Sequence, residues 1–135
     1  MRALIPILLF SFSFSAIIHV PGEGNLTIQE GINDALEGDT VLVAPGTYYE
    51  NLIIQKSITL ASRAILDQVN GHLESWVEFD DEYYVMNENI NATILDGSLD
   101  TNGDGLESVI LIDSPSDECI EPLIFGFTIT GGNGT

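Results

Sequence analysis

Residues 40–60, TVLVAPGTYYENLIIQKSITL, decide how this chain folds. They hold three short apolar runs, Val41–Val43, Leu52–Ile54 and Ile58–Leu60. Each is rich in β-branched residues and too short for a helix. Turn chemistry separates them: Pro45-Gly46 presets one bend, and Gln55-Lys56-Ser57 makes a short polar break. Three strands joined by two non-hairpin corners do not close a core alone. They can form one rung of a stack, with one face buried against the next rung, which is the physics of a β-solenoid.

Outward from this stretch the same logic continues. Thr27 to Glu37 reads as the one amphipathic helix, with Ile28, Ile32, Ala35 and Leu36 on a single apolar stripe. Thr27 and Glu30 have capping-box spacing, and Gly38 is placed to end the helix. Such an element suits the exposed first rung of a solenoid, which needs a cover. Downstream, Thr93–Leu95, Val109–Ile112, Leu123–Phe125 and Phe127–Ile129 read as strands, with Gly126 as a bend. The apolar runs recur at no fixed period.

Several segments carry a resemblance. Thr27-Ile28-Gln29-Glu30-Gly31-Ile32, Gly38-Asp39-Thr40-Val41, Pro45-Gly46-Thr47-Tyr48 and Glu50-Asn51 resemble the opening of right-handed parallel β-helix proteins. That group is the pectin-lyase-like superfamily, which includes pectin methylesterases and many bacterial surface proteins. Residues 92–97 (ATILDG) and 126–132 (GFTITGG) resemble later coils. The resemblance spans about Asn25 to Thr135 and is interrupted around 67–91. It implies an all-β fold, a right-handed parallel β-helix with an N-terminal amphipathic capping helix. It is weak on function, because one fold hosts many activities. It also implies that further coils of a longer chain follow, because the last strand has no cover of its own. The alternative is that Phe127–Ile129 pairs with a partner chain.

The chain has 135 residues, 21 acidic against 3 basic, and a formal charge of −18. That charge disfavours nucleic acid and anionic membrane as partners and favours cations. Arg2, the apolar run Ala3–Phe14 and the small residues Ser13 and Ser15 read as a signal peptide cut before Ala16. The alternative is an N-terminal membrane anchor, since the apolar run continues through Val20. The expected organisation is a signal peptide at 1–15, an N-terminal segment at 16–24, and the β-helix cap and first coils at 25–135. An acidic and aromatic excursion interrupts the last of these at 67–91. The expected location is secreted or cell-surface.

Two constellations carry chemistry. Asp100, Asn102 and Asp104 alternate ahead of Gly105, as in the first half of an EF-hand-type calcium loop. Position 12 of that pattern is Leu111 where a bidentate Glu belongs, so Asp96 or Asp113 would complete the ligand set. The competing reading is an Asn/Asp/Gly turn without metal. In the excursion, Trp76, Tyr83 and Tyr84 read either as a lip that stacks on sugar rings or as a small aromatic core under an acidic face. Cys119, flanked by acids, reads as a small apolar residue rather than a nucleophile. His19 and His72 form no zinc or copper pattern. Three sequons, at Asn25, Asn91 and Asn133, matter only in a glycosylating pathway.

No catalytic set emerges. Polyuronate lyase chemistry needs an Arg or Lys base, and only Lys56 and Arg63 follow the leader. Carboxylates abound, yet nothing marks a hydrolytic pair. The leading expectation is an exported, non-catalytic scaffold that presents loops to polysaccharide or a surface protein, with calcium as the one candidate cofactor. The runner-up is the N-terminal part of a polysaccharide-acting enzyme whose catalytic coils are absent.

Overall fold

The three apolar runs of residues 40–60 become strands for the reason their composition suggests: β-branched side chains fit a pleated, half-buried surface. The computed structural model describes residues 14–22, 24–69, 77–79, 83–85, 87–99, 108–115 and 117–132. In chain order the elements are β1 (Ile17–Val20), α1 (Ile28–Asp34), β2 (Thr40–Val43), β3 (Gly46–Tyr48), β4 (Leu52–Ile54) and β5 (Thr59–Ser62). Then come α2 (Ala64–Val69), β6 (Val77–Phe79), β7 (Tyr83–Val85), α3 (Glu88–Ala92), β8 (Thr93–Asp96), β9 (Ile110–Ile112), β10 (Leu123–Phe125) and β11 (Thr128–Thr130). The protein is β-rich, with short helices and mostly parallel sheets.

One sheet has the order β1-β2-β5-β10, a second β11-β8-β3, and a third pairs β4 with β9. Every pairing in these three sheets is parallel. The chain visits them in a recurring order: β2, β3, β4, then β5, β8, β9, then β10, β11. Register puts like on like. Ile18, Val41, Leu60 and Ile124 form one aliphatic row across the first sheet. Leu52 lies beside Ile110, and Ile54 beside Ile112. A one-residue slip would turn these rows to the opposite face, so burial fixes the register.

The core consists of Val20, Ile28, Ile32, Ala35, Val41, Val43, Leu52, Ile54, Ile58, Leu60, Leu95 and Val109. Burial is graded along the rows. Val41, Leu60, Ile54 and Leu95 are buried, whereas their row neighbour Ile124 is partly buried and Ile112 and Ile129 are about half exposed.

Helix α1 covers the opposite end of these rows. Ile28, Gly31 and Ile32 face inward. A Cβ at Gly31 would approach Val20 Cγ2 to 2.6 Å and Val41 Cγ1 to 3.1 Å, so glycine lets the helix lie close on β1 and β2. The expected capping box is present, with Thr27 as N-cap and Glu30 reaching back. The helix is shorter than its apolar stripe suggests. It stops at Asp34, Ala35 is extended, and Leu36 is 73% exposed. The cause is competition for its last backbone groups. Lys56 Nζ donates to the carbonyls of Asn33 (3.0 Å) and Ala35 (2.6 Å), and Leu36 N donates to Asp39 Oδ2 (2.9 Å).

Two further differences concern elements that the sequence reading did not make strands. Ile17–Val20, inside the expected N-terminal segment, is a strand of the first sheet. Gly46–Tyr48, which begins within the expected Pro45-Gly46 bend, is the edge strand β3. Both are ordered by parallel pairing to a neighbour remote in sequence. The excursion at 67–91 contains the antiparallel pair β6–β7, with Phe79 opposite Tyr83. Its base is closed by Asp67 Oδ2, which accepts from Asn87 Nδ2 and Asn89 Nδ2, both at 2.9 Å.

This packing separates two apolar residues that the sequence places close together. Ile54→Ala should lower unfolding stability by about 2–5 kcal/mol through a core cavity. Leu36→Ala should stay within about 0.5 kcal/mol. Urea midpoints measure both, and a large Leu36 effect would mean that the helix continues past Asp34.

Candidate functional site

The corner between β3 and β4 holds the chain to its neighbours on both sides. Glu50 points toward α1, where its carboxylate accepts the N–H groups of Ile28 (2.9 Å) and Gln29 (3.0 Å). These are first-turn donors without intrahelical partners, and a carboxylate also complements the helix dipole there. Asn51, buried, points the other way. Its Nδ2 donates to Ser108 O (3.0 Å) and Gly97 O (3.4 Å). It therefore ties Gly97 to Ser108.

Gln29 completes the attachment of the helix. Its side-chain amide acts as a surrogate strand: Oε1 accepts from Ile53 N (2.8 Å), and Nε2 donates to Ile53 O (3.2 Å). The edge of β4 that faces away from β9 is thus satisfied by a side chain instead of another strand.

Between this helix and the third sheet lies a pocket of about 310 Å³, lined by Gln29, Ile32, Asn33, Ile53, Gln55, Lys56 and Asp113. The volume is near the lower limit for small-molecule sites. Ile32 and Ile53 supply apolar surface, and amides supply both donors and acceptors, the combination that matches a sugar ring and its hydroxyls. Its two charged groups are engaged within the protein. Lys56 caps the helix end, and Asp113 Oδ2 accepts from Gln55 Nε2 at 2.7 Å. Sequence reasoning assigned neither Gln29 nor Gln55 a role. The signal available was only their position: Gln29 opens the helix, and Gln55 ends a strand.

The expected calcium ligands are distributed differently. Asp100, Asn102 and Asp104 lie outside the described residues. Asp96 closes a local turn, its Oδ1 accepting from Ser98 N (2.9 Å). Asp113 is at the far end of β9 and belongs to the pocket. Ser108, which Asn51 ties to Gly97, is five residues before Asp113, roughly 16 Å at 3.3 Å per residue in a strand. The topology therefore puts Asp96 and Asp113 at opposite ends of β9. Among the described residues, no group of three or more His, Cys, Asp or Glu side chains could hold a metal ion. Of the expected sugar-stacking residues, Trp76 lies outside the described residues, as do the side chains of Tyr83 and Tyr84 in β7. Cys119 is a free, exposed thiol, and not the half-buried residue expected. No helix among the described residues is long and apolar enough to cross a membrane.

Titration follows the hydrogen bonds. The amides of Ala16 and then Leu36 hold the Asp39 carboxyl below its ordinary range, and the backbone N–H of Thr27 does the same for Glu30. Burial pushes the Tyr48 phenol up. For a lowered carboxylate, the stabilisation is full above the unfolded value, near 3.9 for Asp, and is lost as pH falls through the folded value. Acid titration of unfolding stability should show this loss beginning below about pH 4, and Asp39→Asn should flatten it. Separately, Gln29→Leu keeps the side chain's bulk but strips Ile53 of two partners. It should cost about 1–3 kcal/mol in a denaturant melt.

No protein family, curated protein or solved structure matches this chain, so its functional reading rests on its own residues.

Proposed function

We propose that the chain is an exported, non-catalytic scaffold of the right-handed parallel β-helix type, which offers its groove and its excursion to carbohydrate or protein. The recurring order in which the chain returns to each sheet supports the helical reading of the fold. One observation carries the non-catalytic role: both charged groups of the groove have structural partners. Lys56 is held by two helix carbonyls, and Asp113 by the Gln55 amide. A proton-transfer group has to be aimed at a substrate atom, and these are aimed at the protein. Asn33 Nδ2 and Gln55 Oε1, the second polar atoms of amides that also bond Gln29 and Asp113, line the groove as neutral groups suited to hydroxyls. Trp76, Tyr83 and Tyr84 belong to the same reading as stacking residues of the excursion. Calcium enters it through Asp96, Asp100, Asn102 and Asp104 alone.

Affinity electrophoresis of the purified chain in gels containing neutral and acidic polysaccharides tests the proposal. Retardation by at least one glycan is expected, weakened several-fold by Gln55→Ala, with no release of reducing ends. Release of reducing or unsaturated sugar products would replace the scaffold by a polysaccharide-acting enzyme. In parallel, calcium should raise the thermal midpoint in proportion to the logarithm of its excess, and Asp104→Ala should abolish the rise. An unchanged midpoint would leave residues 100–105 as a turn.

A further inference from the structure

The expected cut before Ala16 coincides with a specific contact. Ala16 N donates to Asp39 Oδ1 at 2.7 Å, and its carbonyl accepts from Thr40 N at 2.9 Å. Strand β1 begins at the next residue. Asp39 is only 4% exposed, and its second oxygen accepts the Leu36 amide. A buried carboxylate is costly unless paired. Here its first partner is the amide nitrogen that hydrolysis at Ser15–Ala16 would release as an amine.

We propose that Asp39 is the receptor for the α-ammonium of Ala16, created when residues 1–15 are removed, so that export processing completes the first rung of the fold. The inference rests on the export reading above. Water adds across the Ser15–Ala16 peptide bond, leaving a carboxylate on Ser15. The amine on Ala16 takes up a proton. The amide-to-carboxylate contact thereby becomes an ammonium–carboxylate ion pair at a position the fold already provides, with both partners charged. The pair would bridge β1 to the loop that leads into β2, joining the outermost strand to the rest of its sheet. Ser15 Oγ donates to Gly38 O at 2.7 Å, an exposed contact that cleavage gives up. The other charged groups nearby are Lys56, which also acts on Asp39, and Glu37, which accepts from Ser57 N at 2.9 Å. His19, on β1, is exposed.

The test is to produce the full chain, with its own N-terminal segment, in a bacterial secretion host and to recover it from outside the cytoplasm. Mass spectrometry then locates the new N-terminus. Trace acetylation across pH gives the midpoint at which the α-amine becomes reactive. The expected result is Ala16 as first residue, with a midpoint about 1–3 pH units above the ordinary 7.7–8.0. In Asp39→Asn it should return to the ordinary value, and the wild-type midpoint alone decides if that variant does not fold. A paired ammonium has a raised folded-state value. Its stabilisation is therefore complete below about pH 8 and lost as pH rises through the raised midpoint. An ordinary midpoint at Ala16, or a cut elsewhere in an exported chain, overturns the Asp39 receptor and leaves export standing. A chain retained uncut inside the cell overturns both.

Discussion

The structure depends on how one strand, β4, satisfies its backbone on both sides. A parallel strand has donors and acceptors along each edge, and each must find a partner. On one edge β4 pairs with β9. On the other, the Gln29 amide supplies a donor and an acceptor to Ile53, while Glu50 and Lys56 grip the two ends of the same helix. Residues 50–56 thus hold α1 by its N-terminus, its body and its C-terminus. Each bond is modest alone, but together they keep an apolar helix face over Leu52, Ile54 and Leu60, where solvent would otherwise reach the core.

The same stretch positions the parts with functional interest. Glu50 and Asn51 are adjacent, and in an extended chain adjacent side chains point to opposite sides. One therefore reaches the helix, and the other reaches the corner between β8 and β9. Asp67 ties the end of α2 to Asn87 and Asn89, and Asn51 ties Gly97 to Ser108.

At the two ends of the rows the situation differs. Toward α1 the core is closed, with Ile28 and Ile32 essentially inaccessible. Toward β9, β10 and β11 the aliphatic rows continue into partly buried Ile124 and half-exposed Ile112 and Ile129. The gradient follows directly from parallel in-register stacking, in which each strand's inward residues are covered only by the strands beside it.

Much of the strand pattern was legible in residues 40–60. β-Branched runs of three with polar corners dictated short strands, and β4 has the bounds expected of it. The Thr27–Glu30 capping box was legible too, since it is a local reciprocal bond. What the tertiary structure alone decided is everything that depends on a remote partner. Ile17–Val20 became a strand because β2 offered a free edge, although its apolar run reads equally well as the end of a leader. Gly46–Tyr48 became a strand because β8 lies beside it, against the turn preference of Pro45-Gly46. The helix stopped at Asp34 because Lys56 and Asp39, 22 and 5 residues further on, captured its last backbone groups. The groove was invisible for the same reason: Gln29, Gln55 and Asp113 come from three separate segments. Local chemistry determined which residues extend, cap and turn. Long-range hydrogen bonds, which leave no periodic trace in a sequence, determined which of them meet.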